Sequence, residues 1–124
     1  MPSFIMTGNH RDQAIAALAE ANRVRLRRAS LTRWMHGRSA AESHERAAEL
    51  VLDPDPTLYS MLVLELLQRV RRVGPTQAER LLELTHVSPT STLSALSGRQ
   101  RGGLTALLRL RADQLSPHSR RKTA

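Results

Sequence analysis

Three stretches of this chain combine residue types that grip anions. The first is Val73-Gly74-Pro75-Thr76-Gln77, a glycine turn followed by a helix start. Glycine lets a backbone come close to a ligand, and the first turn of a helix points free N–H groups outward, where phosphate binds. Arg69, Arg71 and Arg72 flank this turn and add charge. The second stretch, Ser88 through Arg101, holds two helix starts close together, several hydroxyls including Ser94, and the run Arg99-Gln100-Arg101. The third is a block of arginines, Arg23, Arg25, Arg27, Arg28, Arg33 and Arg38, with no acid between them. At helical spacing Arg23 and Arg27 share a face, with Arg25 and Arg28 beside it. Guanidinium forks match phosphate oxygens in pairs. Each stretch also suits a plainer reading: a helix hairpin with a basic rim, an unremarked helix start, a solvated charged face.

Composition decides how far the anion reading carries. Lys+Arg number 19 against 11 Asp+Glu, a formal charge of +8 on 124 residues. A small chain this basic is matched to a polyanion. All the basic residues but Lys122 are arginine. Absent cysteine removes disulfides, thiolate nucleophiles and zinc–sulfur sites together, and fits the cytoplasm. His10, His36, His44, His86 and His118 are scattered without metal-ligand spacing, and no glycine-rich nucleotide loop is present. These absences predict no metal, no cofactor and no enzyme. Met61-Leu62-Val63-Leu64 is the longest unbroken apolar run, too short to cross a bilayer, and residues 1–11 lack a basic start followed by an apolar stretch, which predicts no signal peptide.

The elements that must position these residues are helices. Leu, Ala and Val dominate, and only Phe4, Trp34 and Tyr59 are aromatic, which predicts an all-α fold. Residues 1–8, with Pro2 and Gly8, read as a flexible tail. Asn9 caps a long first helix to Met35, with Ile15, Leu18, Leu31, Trp34 and Met35 as its buried stripe. Ser39-Ala40-Ala41-Glu42 fits a capping box for a second helix to about Leu52, stopped by Asp53-Pro54-Asp55-Pro56. Residues 57–70 carry apolar side chains nearly all round, predicting a central buried helix. Thr76-Gln77-Ala78-Glu79 predicts another capping box, and Ser97-Gly98-Arg99-Gln100 starts a last helix despite Gly102-Gly103. No strand is predicted, and 116–124 reads as a disordered basic tail. The organisation is thus a tail (1–8), a basic helix plus a short helix (9–56), a helical binding domain (57–115) and a second tail.

The run Leu66-Leu67-Gln68-Arg69-Val70-Arg71-Arg72-Val73-Gly74-Pro75-Thr76-Gln77-Ala78 resembles the leucine-rich helix and glycine turn of the actinobacterial integration host factor family. Val87-Ser88-Pro89-Thr90, Leu93, Leu96 and Gly98-Arg99-Gln100-Arg101 are similar to that family's second turn and last helix. The likeness covers about residues 10–112. It implies a helix–two-turns–helix domain preceded by a long N-terminal helix. It also implies a nucleoid-associated, architectural DNA-bending protein with little sequence preference, working as a monomer and assisting a phage integrase in site-specific recombination. Carried over by position, Val73, Gly74, Thr76 and Gln77 approach phosphates through backbone N–H. Arg71 and Arg72 support them, Ser94, Arg99, Gln100 and Arg101 hold a second backbone stretch, and Arg23, Arg27 and Arg28 line the duplex. Pro75 stands where the family has lysine, and Ser91, Thr92 and Ser94 stand where it has an arginine-rich run.

Three other readings stay open. The same module occurs in a small-subunit ribosomal protein, which makes an RNA- or ribosome-associated role the alternative. It also occurs in formamidopyrimidine-type DNA glycosylases, where an N-terminal proline is the nucleophile. Pro2 matches that proline, but Ser3 stands where that chemistry needs an acid. A helical interaction adaptor without nucleic acid completes the set.

Overall fold

The computed structural model describes residues 2–116, with side chains from His10 onward. Residues 117–124, including the basic Arg120-Arg121-Lys122, lie outside the described residues. The fold is all-helical. Among the described residues five α-helices run in order: α1 (Pro2–His36), α2 (Ala40–Leu52), α3 (Val63–Arg69), α4 (Pro75–Leu84) and α5 (Gly98–Leu115). Two 3-10 turns, Pro56–Leu58 and Leu93–Ala95, punctuate the connections.

α1 begins at Pro2, so the stretch read as a loose tail continues the helix. Proline suits a first helical turn, and a single interior glycine costs only about 1 kcal/mol against alanine. The expected buried stripe is only half right. Leu31 and Met35 enter the core, whereas Ile15, Leu18 and Trp34 are exposed, as is Leu26. The reason is length. Within the described residues α1 packs mainly on the Pro56–Leu58 turn and α3, and its side chains from His10 to Arg23 are exposed.

α2 lies where its signals place it. Ser39 accepts from the Glu42 amide at 3.1 Å and donates to the Glu42 carboxylate at 3.0 Å. α2 packs along α5, the main helix pair of the molecule. The central helix is shorter than its apolar pattern suggests. Tyr59 and Ser60 form a turn, and Met61-Leu62 then meets the 91–94 segment: the Val63 amide donates to the Ser91 carbonyl at 2.9 Å and the Leu93 amide to the Met61 carbonyl at 3.0 Å. This single bridge, Leu62 to Thr92, buries Met61 and Leu93 completely. An all-round apolar run specifies burial, not helix, and before Val63 the 3-10 turn and the long-range pairing take the place of the helix expected from residue 57. Around it Leu58, Val63, Leu66, Leu67, Leu82, Leu104 and Leu108 complete a closed core.

The capping box expected at Thr76 does not form. Pro75 takes the first helical position of α4 and Gly74 becomes its cap, without a side-chain bond, which moves Thr76 inside the helix. α4 ends in a Schellman arrangement: Val87 donates to Leu82 at 2.9 Å and His86 to Glu83 at 3.2 Å, with His86 at φ 57. α5 does carry a full capping box between Ser97 and Gln100.

Candidate functional site

The turn between α3 and α4 is built to hold two arginines outward. Val70 and Val73 bury their side chains and clamp both ends of the turn. Between them Arg71 and Arg72 are exposed. Arg72 sits at φ 67, a left-handed conformation that glycine adopts with far less strain. Fully buried Ser43 of α2 fixes the neighbour: its hydroxyl donates to the Ala40 carbonyl and accepts from the Arg71 amide at 3.1 Å. The Arg71 side chain reaches the connection between α1 and α2 through a 2.8 Å bond from Nη1 to the Arg38 carbonyl. Arg38 in turn stacks over Trp34 at 4.9 Å.

The backbone beyond the arginines is open. The amides of Gly74, Thr76 and Gln77 meet no acceptor among the described residues, while Val73 donates to the Val70 carbonyl at 3.2 Å and is therefore not a free donor. Gly74 keeps a negative φ, and a Cβ built on it meets nothing within 4 Å, so ligand can approach there. Arg111 of α5 braces the turn from behind. It donates to the Arg72 carbonyl and to the Gln77 side-chain oxygen, each at 3.4 Å, and to His44 Nε2 at 3.1 Å. His44 is fully buried, and its Nδ1 lies 2.7 Å from the Ala40 carbonyl. Donating there and accepting from Arg111 requires the neutral ring. Burial pushes the His44 pKa below its ordinary value, and the Arg111 charge adds to that, against the opposing effect of the Ala40 bond.

The start of α5 is used differently. Arg101, expected at a ligand, turns inward: Nη1 donates to the Val51 carbonyl at 2.6 Å and Nη2 to the Leu93 and Leu96 carbonyls at 3.0 and 3.2 Å. Three carbonyls at the end of a helix and around a 3-10 turn are orphan acceptors, and a guanidinium satisfies them together. Gln100 closes the capping box and donates to the His86 carbonyl at 2.7 Å. The Ser94 hydroxyl is exposed and lies 3.2 Å from that of Thr92. Arg99 alone in this run is exposed with no protein partner among the described residues. The two helix starts are also not adjacent. Arg99 and Arg111 are twelve residues apart on α5, roughly 18 Å of helix.

The α1 arginines divide three ways. Arg23 pairs with Glu20 on the exposed face. Arg27 bonds Asp55 at 3.1 Å and ties α1 to the loop after α2. The Asp55 carboxyl is held below its usual pKa first by the Thr57 amide and hydroxyl, with Arg27 contributing less. Arg28 reaches across to Ser60 Oγ at 2.8 Å. Arg69, from α3, donates to Thr32 Oγ1 at 2.8 Å and lies on the same flank. Arg28 and Arg69 line one groove, and Arg71 and the 72–77 turn follow directly after α3, a basic ribbon along α1 and α3. Sequence reasoning noted Arg69 only as a flanking charge and missed Arg111 altogether.

A second hollow, about 710 Å³, opens on the other flank of α1 between α2 and the end of α5. Glu42, Glu45, Glu49 and Asp113 line it, above a floor that includes Leu31 and Trp34. No helix of the described residues is long and apolar enough to cross a membrane. No family model, curated protein or solved structure matches this chain.

Proposed function

We propose that this protein binds duplex DNA through the phosphate backbone with little sequence preference, and acts by bending or looping it rather than by chemistry of its own. One observation carries the reading. On the 71–77 turn two outward arginines stand beside three amides without acceptors, and Arg111 buttresses the same turn. Phosphate oxygens accept from both kinds of donor, and such contacts position a duplex without reading its bases. α3, the two turns and α5 would then serve as a helix–two-turns–helix unit, with α1 as a basic arm along the DNA. The resemblance to the actinobacterial integration host factor family supports a nucleoid-associated role and help to an integrase.

The test is fluorescence anisotropy on three unrelated duplexes over a salt series. With about five phosphates neutralised, the log–log slope is expected near −4 to −5 and the three affinities are expected to agree. A slope near zero overturns the proposal. Structured RNA competes in the same assay at matched salt, and a tenfold or greater preference for it, about 1.4 kcal/mol, moves the assignment to the RNA-associated alternative. Imaging of bound DNA then shows whether the bound duplex bends.

A further inference from the structure

Where α1 crosses the Ser60 loop and the end of α3, the surface forms a groove of about 560 Å³. Arg25, Arg28, Arg69 and Ser60 line it together with Ala21 and Val24, and no carboxylate does. We propose that this groove is the seat of one phosphate group. The inference rests on the DNA-binding reading and deepens it, because it fixes where α1 meets the strand.

Like charges are not gathered in a concavity without a counter-charge to hold them. Two of the three guanidinium groups are already oriented. Arg69 is locked by Nε to Thr32 Oγ1 at 2.8 Å and Nη1 to the Glu65 carbonyl at 2.9 Å, which leaves Nη2 without an acceptor among the described residues. Arg28 gives Nη2 to Ser60 Oγ at 2.8 Å. Since Ser60 accepts there, its own proton is free to donate. Arg28 Nε is shielded from solvent and meets no acceptor among the described residues, a costly state for a charged donor that a small turn of the side chain towards a ligand oxygen would relieve. Glu65 stands 4.0 Å from Arg69 Nη1 and does not line the groove. Three forks and a hydroxyl around one hollow match a tetrahedral oxyanion carrying several acceptor oxygens.

A strand phosphate and a free phosphate share this chemistry, and the experiment separates them. The Arg28 Nε–Hε resonance is followed by NMR in the full chain while a duplex, or inorganic phosphate, is added in a chloride background. Ser60→Asp sets a carboxylate among the arginines without removing any of them, and Arg25→Gln removes one exposed charge that makes no hydrogen bond or ion pair among the described residues. Circular dichroism and melting check that both variants fold. The expected result is that duplex moves the Arg28 resonance, Ser60→Asp weakens duplex binding about tenfold, and each variant flattens the salt slope by about one. If wild-type protein binds duplex while the resonance stays still and both variants keep affinity and slope, the seat is wrong and the DNA reading survives. If duplex is ignored but inorganic phosphate moves the resonance in wild type and not in Ser60→Asp, the seat stands with free phosphate as its ligand and the DNA reading falls. Silence towards both probes overturns the two together.

Discussion

Two hollows flank α1, and they carry opposite charge. The groove beside α3 has three arginines and no acid, whereas the cleft beside α2 sets Glu42, Glu45, Glu49 and Asp113 against only Arg27 and Arg46, over a floor that includes Leu31 and Trp34. Four of the chain's 11 acids line that one cleft. The formal charge of +8 therefore understates the field on the α3 flank, because much of the compensating charge sits elsewhere. Segregated charge steers a polyanion to one face and turns the other away from it. The glutamates achieve this by spacing alone: positions 42, 45 and 49 fall on one side of α2, the side not packed on α5.

Arg101 offers the hardest way to break this contrast, because it belongs to neither flank. Arg101→Ala leaves the Val51, Leu93 and Leu96 carbonyls without their donor and is expected to cost about 3 kcal/mol of stability. Urea denaturation reads the loss. The salt slope of the folded fraction should stay at the wild-type value, and a flatter slope would restore Arg101 to the interface.

Next in size is reversal on the ribbon. Arg71→Glu with Arg72→Glu is expected to weaken binding about 30-fold, roughly 2 kcal/mol, and equally on unrelated duplexes. A loss confined to some sequences would mean that bases are read. Arg72→Gly sharpens the point, since it relieves the φ 67 strain while removing a charge. Its melting temperature should hold or rise as affinity drops a few-fold. A falling melting temperature would make Arg72 a structural residue.

Acid should act more gradually. His44 has its pKa lowered by burial and by Arg111. The unfolded chain then takes up the proton more readily than the folded one, so this contribution is fully present above about pH 6.5 and is lost as the pH falls through the lower folded value. The protonated ring can no longer accept from Arg111, which loosens the brace behind Arg72 and Gln77. Melting temperatures between pH 8 and 5 should decline for wild type and decline less for His44→Gln. The smallest effect belongs to the acidic cleft, where Glu45→Gln should change duplex affinity less than about twofold, as an exposed charge on the remote flank is largely screened.

Much of this architecture is legible in the sequence, and the failures share a cause. Ser39, Pro54 and Ser97 mark helix ends through contacts made within a few residues, and those ends lie where their types place them. The exposed pair Arg71 and Arg72, with the bare amides after Gly74, follows from the same local logic. The division of labour between Arg99 and Arg101 does not. They are two positions apart and alike in type, yet the acceptor that captures Arg101 belongs to Val51, fifty residues away in sequence. Arg111 is invisible for the same reason, since His44 and Arg72 come to it only after α2 has packed on α5. Ile15 and Leu18 misled in the opposite direction. Their spacing predicts a partner surface, and no element of the described fold extends that far.

That last point sets how the molecule melts. α1 is a rod of 35 residues, roughly 52 Å, and its deeply buried anchors are Leu31 and Met35 near one end. The amide protons of residues 10–22 depend on local helix–coil equilibrium alone, and such short unsupported segments are marginal in water. They should therefore exchange with deuterium orders of magnitude faster than those of Leu31 to Met35, whose release waits on global unfolding.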